Sequence, residues 1–237
     1  MIDYKIYELK NNNTKKDFID IIKKITFKKI KENFFFEVKY GHTEDLRHIN
    51  EKCAIFSYDS LFVDILFENN IIQDIFKILD KKIYLKHIQF RNAYKSEKSY
   101  AKWHRDTFVK NNEIIGPVPQ SYKLMFYPKF GNREKCLSVK TKSNVPYNFY
   151  KNCLSERQLK KNFDSYDTNI ININNSNEKF LFFDTTCYHQ AEMPKENMFQ
   201  PRIIYIFYLS DEQVFNDNDN NKLLEYYIQK CKEFRLI

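Results

Sequence analysis

The chain has 237 residues, a mass of 28.9 kDa and 43% apolar residues, among them 22 Phe and 17 Tyr. That is enough to bury a full core, which excludes a disulfide-stapled miniature and global disorder. Only three glycines occur, Gly41, Gly116 and Gly131, where average usage of about 7% would supply roughly 17. Neither a dinucleotide-binding G-x-G-x-x-G nor a P-loop can be assembled from glycines so far apart. The formal charge is +8 with a pI near 9.0, but of the 39 basic residues 32 are Lys and only seven are Arg. Lysines spread along the whole chain describe a solvated surface, so a nucleic-acid partner is not expected from charge alone. Five cysteines form no C-x-x-C pair, and an odd count fits reduced thiols in a cytosol. The first 13 residues lack the apolar core of a signal peptide, and no run approaches the roughly 18 apolar residues of a membrane-spanning helix. The expectation is a soluble, cytoplasmic single domain with no membrane partner.

In chain order, residues 14–30 place Phe18, Ile21, Ile22, Ile25 and Ile30 at near-helical spacing, which predicts an amphipathic helix. A second helical stretch is expected over 60–80, with Ser60 as its N-cap. The texture then changes. Segments 83–90, 122–128, 136–141, 180–186 and 201–210 are short, rich in β-branched and aromatic residues, and bounded by Asn, Pro, Gly and Ser clusters, which predicts strands. Residues 145–178 are polar with Tyr147, Phe149 and Tyr150 embedded, and an insertion of that length between strands reads as a lid or a disordered segment. Residues 220–234 predict a closing helix. The fold class is mainly β with flanking helices: a helical preamble over 1–82, a β core over 83–210 and a C-terminal helix in 211–237.

The histidines carry the chemistry. His104 and Asp106 lie two residues apart, so in an extended segment both side chains leave one face and can converge on a metal. His189 follows 83 residues after Asp106, just beyond the apolar run FLFFDTT. Two His and one carboxylate on one face of an octahedron form the facial triad of non-haem Fe(II) oxygenases. Arg202 heads the apolar run IIYIFYL; a guanidinium at the mouth of an apolar barrel can hold a carboxylate bidentately. His104-Arg105-Asp106 followed by Asn111 also spells the kinase catalytic-loop pattern. The scarcity of glycine removes the glycine-rich loop and D-F-G that a kinase needs. His42-Thr43-Glu44 reads as a solvated turn, and His87 as an interior histidine of a strand. Trp103 and Tyr188 flank the ligand positions and read as packing residues, and Cys187 as a small buried one.

Trp103-His104-Arg105-Asp106, the strand YKLMFYP, FFDTTCYH with His189, and Arg202 together resemble the Fe(II)/2-oxoglutarate-dependent oxygenases, and within them the phytanoyl-CoA dioxygenase-like family. The resemblance covers about residues 83–210. It implies a double-stranded β-helix, a jelly roll of cupin type. Fe(II) would be held by His104, Asp106 and His189, and the distal carboxylate of 2-oxoglutarate by Arg202, with Lys123 a second co-substrate candidate. It also implies a dioxygenase reaction, consuming O2 and releasing succinate and CO2 while a C–H bond of a small metabolite is hydroxylated; an anionic, nucleotide-, sugar- or CoA-linked substrate would suit the lysine-rich surface. Two alternatives stay open: an oxygenase acting on nucleic acid, whose relatives show a second Arg where this chain has Tyr208, and a cupin-like metal-binding protein without oxygenase activity. The position two after His189 is Ala191, where the family often carries Ser or Thr.

Overall fold

The computed structural model describes residues 4–31, 51–55, 60–94, 103, 106, 109–110, 113–114, 121–129, 137–143, 170–173, 178–191, 199–209 and 221–237. Within them the order is β1 (Tyr4–Glu8), α1 (Asn13–Lys31), β2 (Glu51–Ile55), α2 (Leu61–Glu68), α3 (Ile71–Leu79), β3 (Tyr84–Tyr94), β4 (Val109–Lys110) and β5 (Glu113–Ile114). There follow β6 (Ser121–Phe126), β7 (Leu137–Lys140), β8 (Ile170–Ile173), β9 (Lys179–Asp184), β10 (His189–Ala191), β11 (Phe199–Tyr208) and α4 (Asn221–Glu233). All strand pairings among the described residues are antiparallel. A six-stranded sheet has the order β1-β9-β6-β11-β3-β2, a three-stranded sheet the order β10-β7-β8, and β4 pairs with β5. All five expected strands and the terminal helix form within a few residues of their sequence positions.

Alternation along the strands assigns the two faces of the large sheet. Ile203, Tyr205 and Phe207 of β11, Leu124 and Phe126 of β6, and Phe180 and Phe182 of β9 join the helices in one core with Phe18, Phe62, Ile65, Ile72, Leu223 and Tyr227. Phe18 of α1 meets Phe62 at 5.4 Å and Phe126 at 5.1 Å between ring centroids, both edge-on, the geometry that the aromatic quadrupole favours. Ile204, Met125, Leu181 and Phe183 leave the opposite face and pack with Leu137 and Val139 of β7, so a second core lies between the two sheets. The site described below opens into this second core.

The segment 60–80 forms two helices rather than one. Asn70 takes a left-handed φ of 58° and starts α3 afresh, and Asp80 at φ 51° ends it; Asn and Asp tolerate that conformation better than other residues bearing a Cβ. Ser60 does stand at the N-cap of α2, but with helical dihedrals and without a capping bond from its hydroxyl. The first 82 residues, read from sequence as helical, also supply both edges of the large sheet through β1 and β2. β1 is pinned by Lys5 and Tyr7, which donate to Asp74 of α3 at 2.6 and 2.8 Å. Burial, then the hydrogen bond to Asp74, pushes the Tyr7 hydroxyl far above the ordinary tyrosine range. In the segment 145–178, residues 170–173 form β8 against β7; 145–169 and 174–177 lie outside the described residues, as do His42 and Glu44. Among the described residues no helix is long and apolar enough to cross a membrane.

Candidate metal centre

The end of β9 builds the site. Its last residue, Asp184, is fully buried and folds the chain back: Oδ1 accepts from the backbone N–H and the hydroxyl of Thr186, both at 2.8 Å, and its carbonyl accepts from the Cys187 N–H at 2.9 Å. Such a side-chain-to-backbone turn lets Asp end a strand sharply without glycine. Burial, then the charges of Asp184 and Cys187, holds the neighbouring Tyr122 hydroxyl well above its usual range. The turn hands the chain to β10, where His189 pairs with Val139 of β7 and so faces the second core. The imidazole is 3% exposed and stands edge-on to Phe183 at 5.1 Å.

Its ring is oriented. Nδ1 lies 2.8 Å from the carbonyl oxygen of Cys187; a carbonyl only accepts, so Nδ1 carries a proton and Nε2 is the nitrogen left to face a metal. Metal-ligating histidines are held in this way by an outer partner. Nε2 points to Asp106, whose Oδ1 is 3.6 Å away. Two ligands at about 2.1 Å from one ion are separated by about 3.0 Å at a right angle and about 4.2 Å when opposed. The two donor atoms therefore fit a shared ion, and an imidazole with a carboxylate suits a divalent transition metal, iron and zinc among them.

Asp106 sits on a bend rather than in a strand, and its backbone N–H donates to the carbonyl of Thr185 at 3.1 Å. Thr185 is itself fixed to the start of β6: its N–H and hydroxyl donate to the carbonyl of Ser121 at 3.1 and 2.9 Å, and the two hydroxyls lie 2.6 Å apart. The bend and the His189 turn thus hang on one threonine. His104, with Arg105, lies outside the described residues. Among the described residues no cluster of three His, Cys, Asp or Glu side chains is assembled; Asp106 and His189 are the two members of the expected trio whose places are known.

Trp103, three residues before Asp106, stacks on Tyr188, the residue before His189, at 5.9 Å and 19°. Lys140 of β7 places its ammonium 5.1 and 5.2 Å from the two ring centroids, a cation–π contact with both. The packing role expected for these aromatics takes this form. Ser143 is completely buried; its hydroxyl donates to the Lys140 carbonyl at 2.6 Å and accepts from the Tyr188 N–H at 2.8 Å. Cys187 is buried in the second core as expected, yet its carbonyl rather than its thiol serves the histidine.

Arg202 is 4% exposed. It stands on β11 two residues before Ile204 and so shares that residue's face, toward the second core. Lys123 of β6 lies on the corresponding face, between Phe183 and Ile206 in register, and its Nζ pairs with Oδ2 of Asp106. Sequence reasoning missed Thr185, Ser143 and the Cys187 carbonyl. The paired Thr in FFDTT is a faint signal of a turn, whereas a backbone acceptor leaves none in residue identities.

No family model matches the sequence, and no curated protein does. Solved structures match the fold. AviO1 from Streptomyces viridochromogenes Tue57 has a TM-score of 0.54 at 10% identity, covering 87% of this chain and 89% of that one. SnoK, a non-haem α-ketoglutarate-dependent carbocyclase from nogalamycin biosynthesis, has a TM-score of 0.59 at 8% identity, covering 87% and 79%. EctD from S. alaskensis, solved with 2-oxoglutarate and 5-hydroxyectoine, has a TM-score of 0.53 at 12% identity, covering 87% and 72%. At these identities the likeness is one of architecture: this chain is folded as non-haem, α-ketoglutarate-dependent enzymes are folded.

Proposed function

We propose that the chain is an Fe(II)/2-oxoglutarate-dependent dioxygenase of the phytanoyl-CoA dioxygenase-like kind. Its two sheets would form a double-stranded β-helix, and its product would be a hydroxylated small metabolite. The observation that carries this reading is the convergence of Asp106 Oδ1 and His189 Nε2 at 3.6 Å, with the other imidazole nitrogen anchored on a carbonyl. Asp106, His189 and His104 would hold the iron. Bound iron with 2-oxoglutarate supplies the oxidising power: O2 is consumed, one oxygen atom becomes the hydroxyl on the substrate carbon, and the other enters succinate as CO2 leaves.

The chain's own residues do the rest. Arg202, desolvated on the interior face of β11, would take the distal carboxylate of 2-oxoglutarate, a charge-assisted contact that burial strengthens. Ile204, Phe183, Leu181 and Val139 line an apolar interior that keeps water from the reacting atoms. His189 is held in a single tautomer, so its ligating nitrogen is ready without rearrangement. The lysine-rich surface would suit an anionic substrate class.

The test is an anaerobic titration. Addition of Fe(II) and 2-oxoglutarate should produce a visible charge-transfer band that is lost in H104A and H189A, and R202A should raise the 2-oxoglutarate concentration needed to form it. A wild-type protein that forms no band, or succinate release unchanged in R202A, overturns the assignment.

A further inference from the structure

The two oxygens of Asp106 face different partners. Oδ1 looks to His189 Nε2 at 3.6 Å, and Oδ2 is held by the ammonium of Lys123. We propose that Lys123 is the internal counter-cation of Asp106, standing in for the metal's charge in the metal-free chain and setting how strongly metal binding depends on the co-substrate. This rests on the iron reading above.

Physical chemistry supports each step. The Asp106 side chain is 29% exposed and that of Lys123 18%, so neither charge is fully solvated, and a carboxylate left alone in such a place is costly. Lys123 has little freedom to leave. Its backbone is fixed in mid-sheet, in register with Phe183 on one side and Ile206 on the other, so the ammonium can move only within the reach of its stem. Its charge therefore stays close to the ligand when a metal arrives. A divalent ion entering alone meets the positive charge of Lys123. Entering with a dianion such as 2-oxoglutarate, it meets a site whose excess charge is cancelled. The geometry thus gives positive coupling between metal and co-substrate, which by linkage is reciprocal. Lys123 is a positioning and tuning residue here; in the sequence it was also a candidate for direct contact with 2-oxoglutarate, and the two roles separate by experiment.

The experiment is calorimetric titration of Co(II) into the full chain, with and without 2-oxoglutarate, for wild type, K123M, K123Q and K123R. Removing one like charge about an ion-pair length from the site is worth on the order of tenfold in affinity. K123M and K123Q should therefore bind Co(II) alone about tenfold more tightly than wild type, and the gain on adding 2-oxoglutarate should shrink by a similar factor. K123R, which keeps the charge, should follow wild type. Co(II) affinity in K123M and K123Q equal to or below wild type, with only 2-oxoglutarate binding weakened, overturns the proposal and makes Lys123 a direct co-substrate ligand. Failure of wild type to bind Co(II), or binding that H189A leaves intact, instead overturns the iron reading and this proposal with it.

Discussion

Ser143→Ala tests whether one buried hydroxyl holds the approach to His189. The Ser143 side chain joins the turn after β7 to the residue before the histidine, donating to the Lys140 carbonyl at 2.6 Å and accepting from the Tyr188 N–H at 2.8 Å with no solvent exposure. The substitution leaves the Tyr188 N–H without this acceptor, a desolvation cost of about 1–3 kcal/mol, and removes a donated bond worth about 1 kcal/mol. The expected loss is thus about 2–4 kcal/mol, or roughly 4–16 °C in Tm for a chain of this size. The effect should also reach the ligand, because Tyr188 precedes His189 and its carbonyl accepts from Lys140 N–H at 2.8 Å. Urea unfolding measures the first consequence. The second is read from Co(II) quenching of Trp103, the single tryptophan of the chain, stacked on Tyr188; affinity should fall by about tenfold, as for an outer-shell support. A loss under about 0.5 kcal/mol, the range of an ordinary surface change, or quenching identical to wild type, would refute the reasoning.

Asp106→Ala and His189→Ala should each cost more Co(II) affinity than the roughly 10–100-fold typical of an outer-shell partner, and a smaller loss in either would remove that residue from the ligand set. Phe18→Ala should destabilise the chain by about 3–5 kcal/mol in urea unfolding, because a ring between Phe62 and Phe126 leaves a cavity that its neighbours cannot fill. Burial disfavours the Asp74 carboxylate, but the bonds from Lys5 and Tyr7 outweigh it and hold the carboxyl below its ordinary value. Its contribution is therefore present above the unfolded value of about 3.9 and lost as pH falls through the lower folded value; D74N should lower Tm at pH 7 and progressively less as the pH falls below about 3.9, and a pH-independent effect would count against the pair. Burial pushes the Cys231 thiol up to about 12, so iodoacetamide at pH 8 should label it only after unfolding, as mass spectrometry of its peptide would show.

Strands β6, β9 and β11 were legible because each is a short apolar run that buries both faces, one in either core, so FLFFD and IIYIFY announce themselves without alternation. The helix pair α2 and α3 was harder. Its apolar periodicity continues across 69–70, and only the left-handed Asn70 divides it. The edge strands β1 and β2 carry too many charges to read as strands; their place depends on long-range partners, β9 and β3, which local patterns do not encode. In the candidate site, Asp106, His189, Lys123 and Arg202 stand out in the sequence because metal-ligating and anion-binding chemistry restricts the residue type. The supports do not. Ser143 and Thr185 act through backbone groups of residues 45 and 64 positions away, and such pairings exist only once the sheets have assembled.

The pairing of β1 with β9 has a consequence for how the molecule comes into being. Tyr4 lies opposite Phe183, and Glu8 opposite Lys179, so β1 is made long before the strand it pairs with. Until then its apolar side has no permanent cover, and the long loop to be closed makes this step slow. The same late strand, β9, ends in the turn that delivers His189. The edge of the large sheet and the turn that carries His189 therefore take shape on one stretch of the chain, and β1 has its neighbour only when that stretch has been made.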